Sequence, residues 1–521
     1  MGRLRTSPFE TAPPTAAGPD ASSVWDRAAA AHLVRRTGFG ARKRDVDAAI
    51  ADGTPARAAD RLLREALAVP LPEPPGWVSG GSGPSEIERV YEVQRGWFEA
   101  MRVGGLGEKM TLFLHNLLAT QHPKHGRGAL AWHHLDLLRR FSLGNFRTLV
   151  GRIGQDPAML IYLDGALNRK GAANENYARE LLELFTMGQT GPDGAPNYTE
   201  TDVKEIARAL TGWSVNAQGR ATFDLAQHDR GSKTFFGRTG AWGYDDVVRI
   251  VFEARPRAIA YFVCRKLYCF FVEARPHAET VDMLAGVFVA NNFEIAPVVR
   301  ALLVSERFFA PGVVGAKLKS PVELLVGLLR EAEIAPTAAL YEAMRVELEP
   351  TGLGMELLNP PNVAGWPGLN PPGSDGLPGH YTWLTTSTLP ERWRLAERLL
   401  TGAMGAAHDP LDLARKASDP ADPYTLPADL ARVFLPVPLG EAGIRNVAEP
   451  FGGNTMRPPP DAFLAGPAHA VNLSKLLLDG TPHYEWAAQA TGTNAAGLAA
   501  ARRLLTGYLV YLTQLPEYQL T

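Results

Sequence analysis

Apolar residues recur at helical spacing through most of the chain. "SSVWDRAAAAHLVRRTGFG" opens on serines and closes at Gly38, the signature of a capped helix. "RDVDAAIADG" and "PARAADRLLREAL" predict a helical hairpin across "DGTP", and the Pro/Gly-rich run 69–86 predicts a linker. Long helices are predicted over 86–102, 107–120 and 127–140, with two shorter ones reaching 163. After a helix over 174–188, "NYTETDVKEIARALTGW" places Thr199 and Asp202 at capping-box spacing. Ser320 and Glu323 repeat that spacing, with Pro321 at the first helical position.

Within 213–240 the apolar period changes. Short β-branched and aromatic runs between Gly and Asn predict a β-hairpin insertion. Helices resume at 245, run to about 335, and return after a proline-stiffened loop over 359–380. A Pro-punctuated stretch over 409–467 precedes a closing helix. The fold class is mainly α: a large multi-helix domain with a small β-hairpin insertion. The expected organisation is linear. A disordered leader (1–22) is followed by an N-terminal helical hairpin region (23–68) and a linker (69–86), then a main helical domain (87–400) and a C-terminal helical subdomain (401–521).

Composition changes this picture little. The 521 residues are 45% hydrophobic and 21% charged, enough to bury a large core. The formal charge of -2 and the lack of a polybasic run argue against nucleic acid or anionic lipid as a partner. No apolar run is long enough to span a bilayer. The first residues lack the apolar segment of an export signal, so the expectation is a soluble, cytoplasmic chain. Cys264 and Cys269 are five apart on a predicted helix, about 140° apart around its axis, which turns them away from a disulfide. There is no zinc motif, Walker loop, Rossmann glycine pattern, nucleophile elbow or HExxH, so no cofactor is specified.

The densest candidate chemistry lies in "NRKGAANENYARELLELFTMG". At 100° per residue Glu175, Asn176, Arg179, Glu180 and Glu183 share one face, and Tyr177, Leu181, Leu182, Leu184 and Phe185 the other. One reading is a solvated ladder of i,i+4 pairs, Glu175–Arg179–Glu183. The other is a working wall. Asn168, Asn174 and Asn176 crowd the helix entrance, and Glu180 lies outside the ladder, where a shielded position would raise its pKa and suit acid–base work. A calcium loop fits poorly, because Ala166 and Arg169 stand where a ligand and a glycine are required.

Three other groups qualify. His115 sits on a helix apolar almost all round, with His122 and His125 beyond its end; these could be core histidines or metal ligands, although no ligand spacing is matched. His228 and Asp229, with Lys233 close by, lie in a Gly-containing loop, where they either form a turn or meet a ligand. Trp366 sits on the proline-stiffened loop, either as a platform for a sugar or peptide or as a plug into the core.

"DGALNRKGAANENYARELLELFTMG", "NYTETDVKEIARALTGW", "HDRGSKTFFGRTG", "KSPVELLVGLLR", "NPPNVAGWPG" and the opening "AHLVRRTGFG" occur in this order. Together they make the chain resemble the bacterial family catalogued as domain of unknown function 1800, over nearly everything after the leader. The resemblance brings no assigned chemistry. Its members often carry export signals, and this chain departs from that pattern.

Three functions remain as expectations. The first is a hydrolase or lyase, acting on glycans for example, with Glu180, Glu183 and His228 as catalytic groups. Asn168, Asn174, Glu175, Asn176, Arg179, Asp229, Lys233 and Trp366 would then line a cleft for a small or polymeric ligand. The second is a binding or assembly protein. The third is a metal-dependent enzyme using His115, His122 or His228.

Overall fold

Side chains close the helix starts where the sequence spacing placed them. Thr199 Oγ1 accepts from the Asp202 amide (3.2 Å) while the Asp202 carboxylate accepts from the Thr199 amide (2.9 Å). Ser320 and Glu323 make the same reciprocal pair, at 3.4 and 2.7 Å. Each box satisfies donors that the first helical turn leaves without intrahelical partners. The computed structural model describes residues 25–80, 83–372, 379–406, 408–437 and 467–521. The expected 1–22 leader, and residues 438–466 of the Pro-punctuated stretch, lie outside these residues.

The protein is mainly α. Its β structure, among the described residues, is two antiparallel two-stranded hairpins within the stretch expected to hold one. Trp213–Val215 pairs with Ala221–Phe223, and Lys233–Phe235 pairs with Arg238–Gly240. No helix among the described residues is long and apolar enough to cross a membrane.

Contacts gather the chain into two units, each drawing on separated segments where the sequence reading ran linearly. The first takes Ala59–Phe308 and Met355–Gly379. Its longest helical stretch, Glu86–Leu117, breaks at Gly105, whose φ of 53° and ψ of -131° are not helical. The sequence reading separated helices at this same Gly-Gly step. The break lets the second half, carrying His115, run through the core beside Gly128–Arg140. Phe146–Ile153 packs on Tyr244–Ala254, which packs on Pro256–Phe271, which packs on Ala278–Ala290; Phe270 meets Phe113 of the long helix edge to face. Cys264 and Cys269, on Pro256–Phe271, are buried in the core and form no disulfide, and the Cys269 thiol donates to the Ala274 carbonyl (3.3 Å).

The second unit takes the described residues of Val24–Ala58, Phe309–Gly354 and His380–Thr521. Arg27–Thr37 reaches 397 residues along the chain through Arg35, whose Nη2 donates to the carbonyls of Arg432 (3.1 Å) and Val433 (2.6 Å). A backbone bridge joins Leu318 to Leu520 and sets Tyr518 against the Pro321–Glu331 helix. These long-range fastenings explain why N-terminal helices belong with the C-terminal part of the chain.

Candidate functional site

The polar helix of the first unit begins as α-helix over Asn176–Glu180 and continues as a π-helix over Leu181–Thr186. Thr186 Oγ1 donates to the Leu181 carbonyl five residues back (2.5 Å), one of the bonds that hold the wider turn. A π-turn carries more residues than an α-turn, so the 100° wheel does not extend past Leu181. The expected Glu175–Arg179 pair forms, with Arg179 Nη2 3.2 Å from Glu175. The expected Arg179–Glu183 rung does not. Arg179 instead makes a two-pronged contact with Glu200, at 2.7 Å through each nitrogen. Glu200 raises the Arg179 pKa, and Arg179 lowers that of Glu200.

Released from the ladder, Glu183 accepts from the Tyr198 hydroxyl (3.0 Å) and from Gln189 Nε2 (2.8 Å). Glu180 is half-buried and makes no hydrogen bond or ion pair among the described residues. Burial raises its pKa, the charge of Glu183 raises it further, and Arg179 opposes both. Two tyrosines feel the same carboxylates. Tyr162 is pushed up to about 12 by burial and by Glu180, and Tyr198 is raised by burial and by its bond to Glu183. Neither tyrosine belongs to the set expected from sequence. Tyr198 directly precedes the Thr199 capping box, which fixes where the next helix starts but not what that tyrosine faces.

Asn168, His228, Asp229 and Lys233 lie towards the other end of the Glu200–Ala209 helix. Asn168 is buried; its Nδ2 donates to the Ala207 carbonyl (2.8 Å) and its Oδ1 accepts from the Asn174 amide (2.9 Å). Asn174 Oδ1 in turn accepts from the Asn176 amide (2.9 Å), a turn closed by its own side chain. His228 Nδ1 lies 2.9 Å from the Thr211 carbonyl, which can only accept, so that nitrogen carries a proton. Asp229 binds Arg208 Nε (2.8 Å) and the Gly231 amide (2.8 Å); Arg208 is the main cause holding its carboxyl below the usual range. Lys233 is fully buried and donates to the carbonyls of Asp229, Gly231 (3.1 Å) and Trp242 (2.9 Å). It fastens the loop.

Glu183 is thus tied to Tyr198, at the start of that helix, and His228 to Thr211, just past its end. The helix between the two fastening points has ten residues, roughly 15 Å of axis at 1.5 Å each. No hydrogen bond or ion pair joins Glu180 to His228 among the described residues.

Trp366 plugs the core of the first unit. It is buried, its ring stacks on His115 at 5.4 Å, and its amide donates to Asn116 Oδ1 (2.7 Å). Gly365 makes this approach possible, since a Cβ there would stand 2.3 Å from Asn116 Oδ1. His115 is fully buried with neither ring nitrogen hydrogen-bonded, and burial takes its pKa well below the ordinary value. His122 pairs with Glu356 (2.9 Å) and His134 with Asp156 (2.7 Å). Burial, then His134, lowers His125 to about 4. No three His, Cys, Asp or Glu side chains among the described residues are grouped to hold a metal ion.

The fold and site define a large, mainly α protein bearing a polar shelf at a π-turn. A family model described as a protein of unknown function (DUF1800) matches residues 32–520, nearly the whole chain, and the chain belongs to that family. No curated protein and no solved structure matches it.

Proposed function

We propose that the shelf carrying Glu180 and Glu183 is an acid–base site of hydrolase or lyase type, with glycans as its candidate substrate class. The observation that carries this reading is the contrast between neighbouring carboxylates. Glu183 is pinned as an acceptor by Tyr198 and Gln189, whereas Glu180 is half-buried, without a partner and raised in pKa. Two acids whose surroundings differ in this way are the usual division between a proton donor and a charged partner. The position of the π-turn supports it, since such turns recur at functional sites. Glu180 gives its proton to the departing oxygen as the glycosidic bond breaks, and Glu183, oriented by Tyr198, stabilises the positive charge that develops on the sugar; water then bonds to the anomeric carbon and its proton returns to the Glu180 carboxylate. His228 is not needed for this step, because it is fastened at the far end of the neighbouring helix.

The test is release of new reducing ends from a panel of defined polysaccharides, with wild-type protein, Glu180→Gln and Glu183→Gln. Loss of a proton donor lowers turnover by about 100-fold or more, so Glu180→Gln should be nearly inactive while folded. Turnover that survives this substitution would reject the assignment. Ligand retention without cleavage by the wild-type protein would favour a binding role. An unsaturated product would mark a lyase, and oxygen incorporated from labelled water a hydrolase.

A further inference from the structure

The second unit holds a cluster of buried cations with too few acceptors. Arg35, Lys319 and Arg392 are 3%, 3% and 0% exposed. The carboxylates that act on them are Glu331 and Glu323. Glu331 Oε1 lies 3.9 Å from Arg35 Nε, and its Oε2 lies 3.8 Å from Lys319 Nζ, both beyond hydrogen-bond length. Its oxygens accept instead from the Ala41 amide (3.2 Å) and the Tyr518 hydroxyl (3.2 Å). Glu323 is committed to the Ser320 amide at the start of its own helix. Arg35 Nε, Lys319 Nζ and Arg392 Nη1 are left without a hydrogen-bond acceptor. The Lys319 ammonium rests over the Tyr518 ring at 3.5 Å. Arg392 Nη2 donates to the Lys319 carbonyl (2.9 Å), which brings the two cations together.

Arg35 and Lys319 share one carboxylate, Glu331, at ion-pair distance, so three buried cations face two carboxylates; buried water can satisfy the spare donors but cannot balance the remaining charge, which is costly to bury. A cavity of about 290 Å³ opens beside the cluster. Glu331 and Val433 line it, and these two residues also contact Arg35. Arg42, Lys43, Arg44 and Lys416 line it as well, beside the carboxylates of Asp47 and Glu333, and each of these four cations is ion-paired to an aspartate or glutamate.

We infer that the second unit binds a small doubly charged oxyanion, a phosphate or phosphate monoester, at Arg35, Lys319 and Arg392. Guanidinium and ammonium donors with spare N–H groups suit such oxygens, Arg by its planar fork and Lys as a point charge. This site lies within the second unit and is independent of the acid–base shelf.

The probe is inorganic phosphate, titrated calorimetrically into the full chain at constant ionic strength made up with chloride, with glycerol phosphate as the monoester arm. The wild-type protein should show saturable binding and a rise in melting temperature that chloride does not reproduce. Lys319→Met and Arg392→Met should each weaken phosphate binding by about tenfold or more, the worth of a charged hydrogen bond. Glycerol phosphate binding as well as phosphate would place the ester side in the cavity. Binding of phosphate alone would confine the site to a free anion. Absence of saturable phosphate binding by the wild-type protein would overturn the inference, whether or not the variants fold. So would unchanged affinity in folded variants.

Discussion

Glu180 combines partial burial, no partner and a charged neighbour, and this combination has a thermodynamic consequence that needs no substrate. Its folded pKa lies above the unfolded value, so the native state binds the proton more tightly than the unfolded chain. Its contribution to stability is therefore fully present below the unfolded pKa and is lost as pH rises through the folded one. Glu180→Gln should melt higher than wild type at neutral pH, and the gap should close below about pH 4, where the acid is protonated in both states. A differential melt across pH measures this; a substitution that lowers the melting temperature at pH 7 would show that the carboxylate has a stabilising partner. Asn168 has the opposite character. Its side chain supplies one donor and one acceptor in a buried place, so Asn168→Ala should cost about 1–3 kcal/mol in denaturant titration.

At the scale of elements, the π-turn decides which residues meet. It takes Glu183 off the Arg179 ladder and brings it to Tyr198. Thr186→Val removes the hydroxyl that bonds the Leu181 carbonyl and should destabilise by about 1 kcal/mol. The same change should weaken the Tyr198–Glu183 contact, seen as a fall in the tyrosine pKa by spectroscopic titration. Gly105→Ala should cost about 1–3 kcal/mol, because a side chain at that backbone geometry is strained. Much at this scale was legible in the sequence. The capping boxes at Thr199 and Ser320, the helix break near Gly105 and β structure within 213–240 all follow from short-range chemistry. The π-turn was not legible, because apolar spacing was read with a fixed 100° step. The partners of the polar helix, Glu200 and Tyr198, come from a following segment that no local pattern brings into contact with it.

At the scale of the molecule, charged residues misled most. Lys233 looked like a loop residue able to face a ligand, yet it is buried against three carbonyls. Arg35, Lys319 and Glu331 sit in segments that read as ordinary helix or loop, yet they share the interior of one unit through contacts nearly 300 residues apart in sequence. Glu331→Gln would leave two buried cations without their shared carboxylate. It should cost about 3–5 kcal/mol, the range for breaking a buried pair by removing one partner, as measured by chemical denaturation. Membership of the DUF1800 family covers both units, so the acid–base shelf and the cation cluster both lie within the matched residues.

Residue-resolved carboxyl titration is the most direct test of the account, using carbon-labelled glutamate by NMR with Glu180→Gln to assign the signal. Glu180 should titrate above its ordinary 4.5, and Glu183→Gln should bring it down by removing the neighbouring charge. A Glu180 carboxyl titrating at or below 4.5, unmoved by loss of Glu183, would contradict the shielded proton donor on which the proposed chemistry depends.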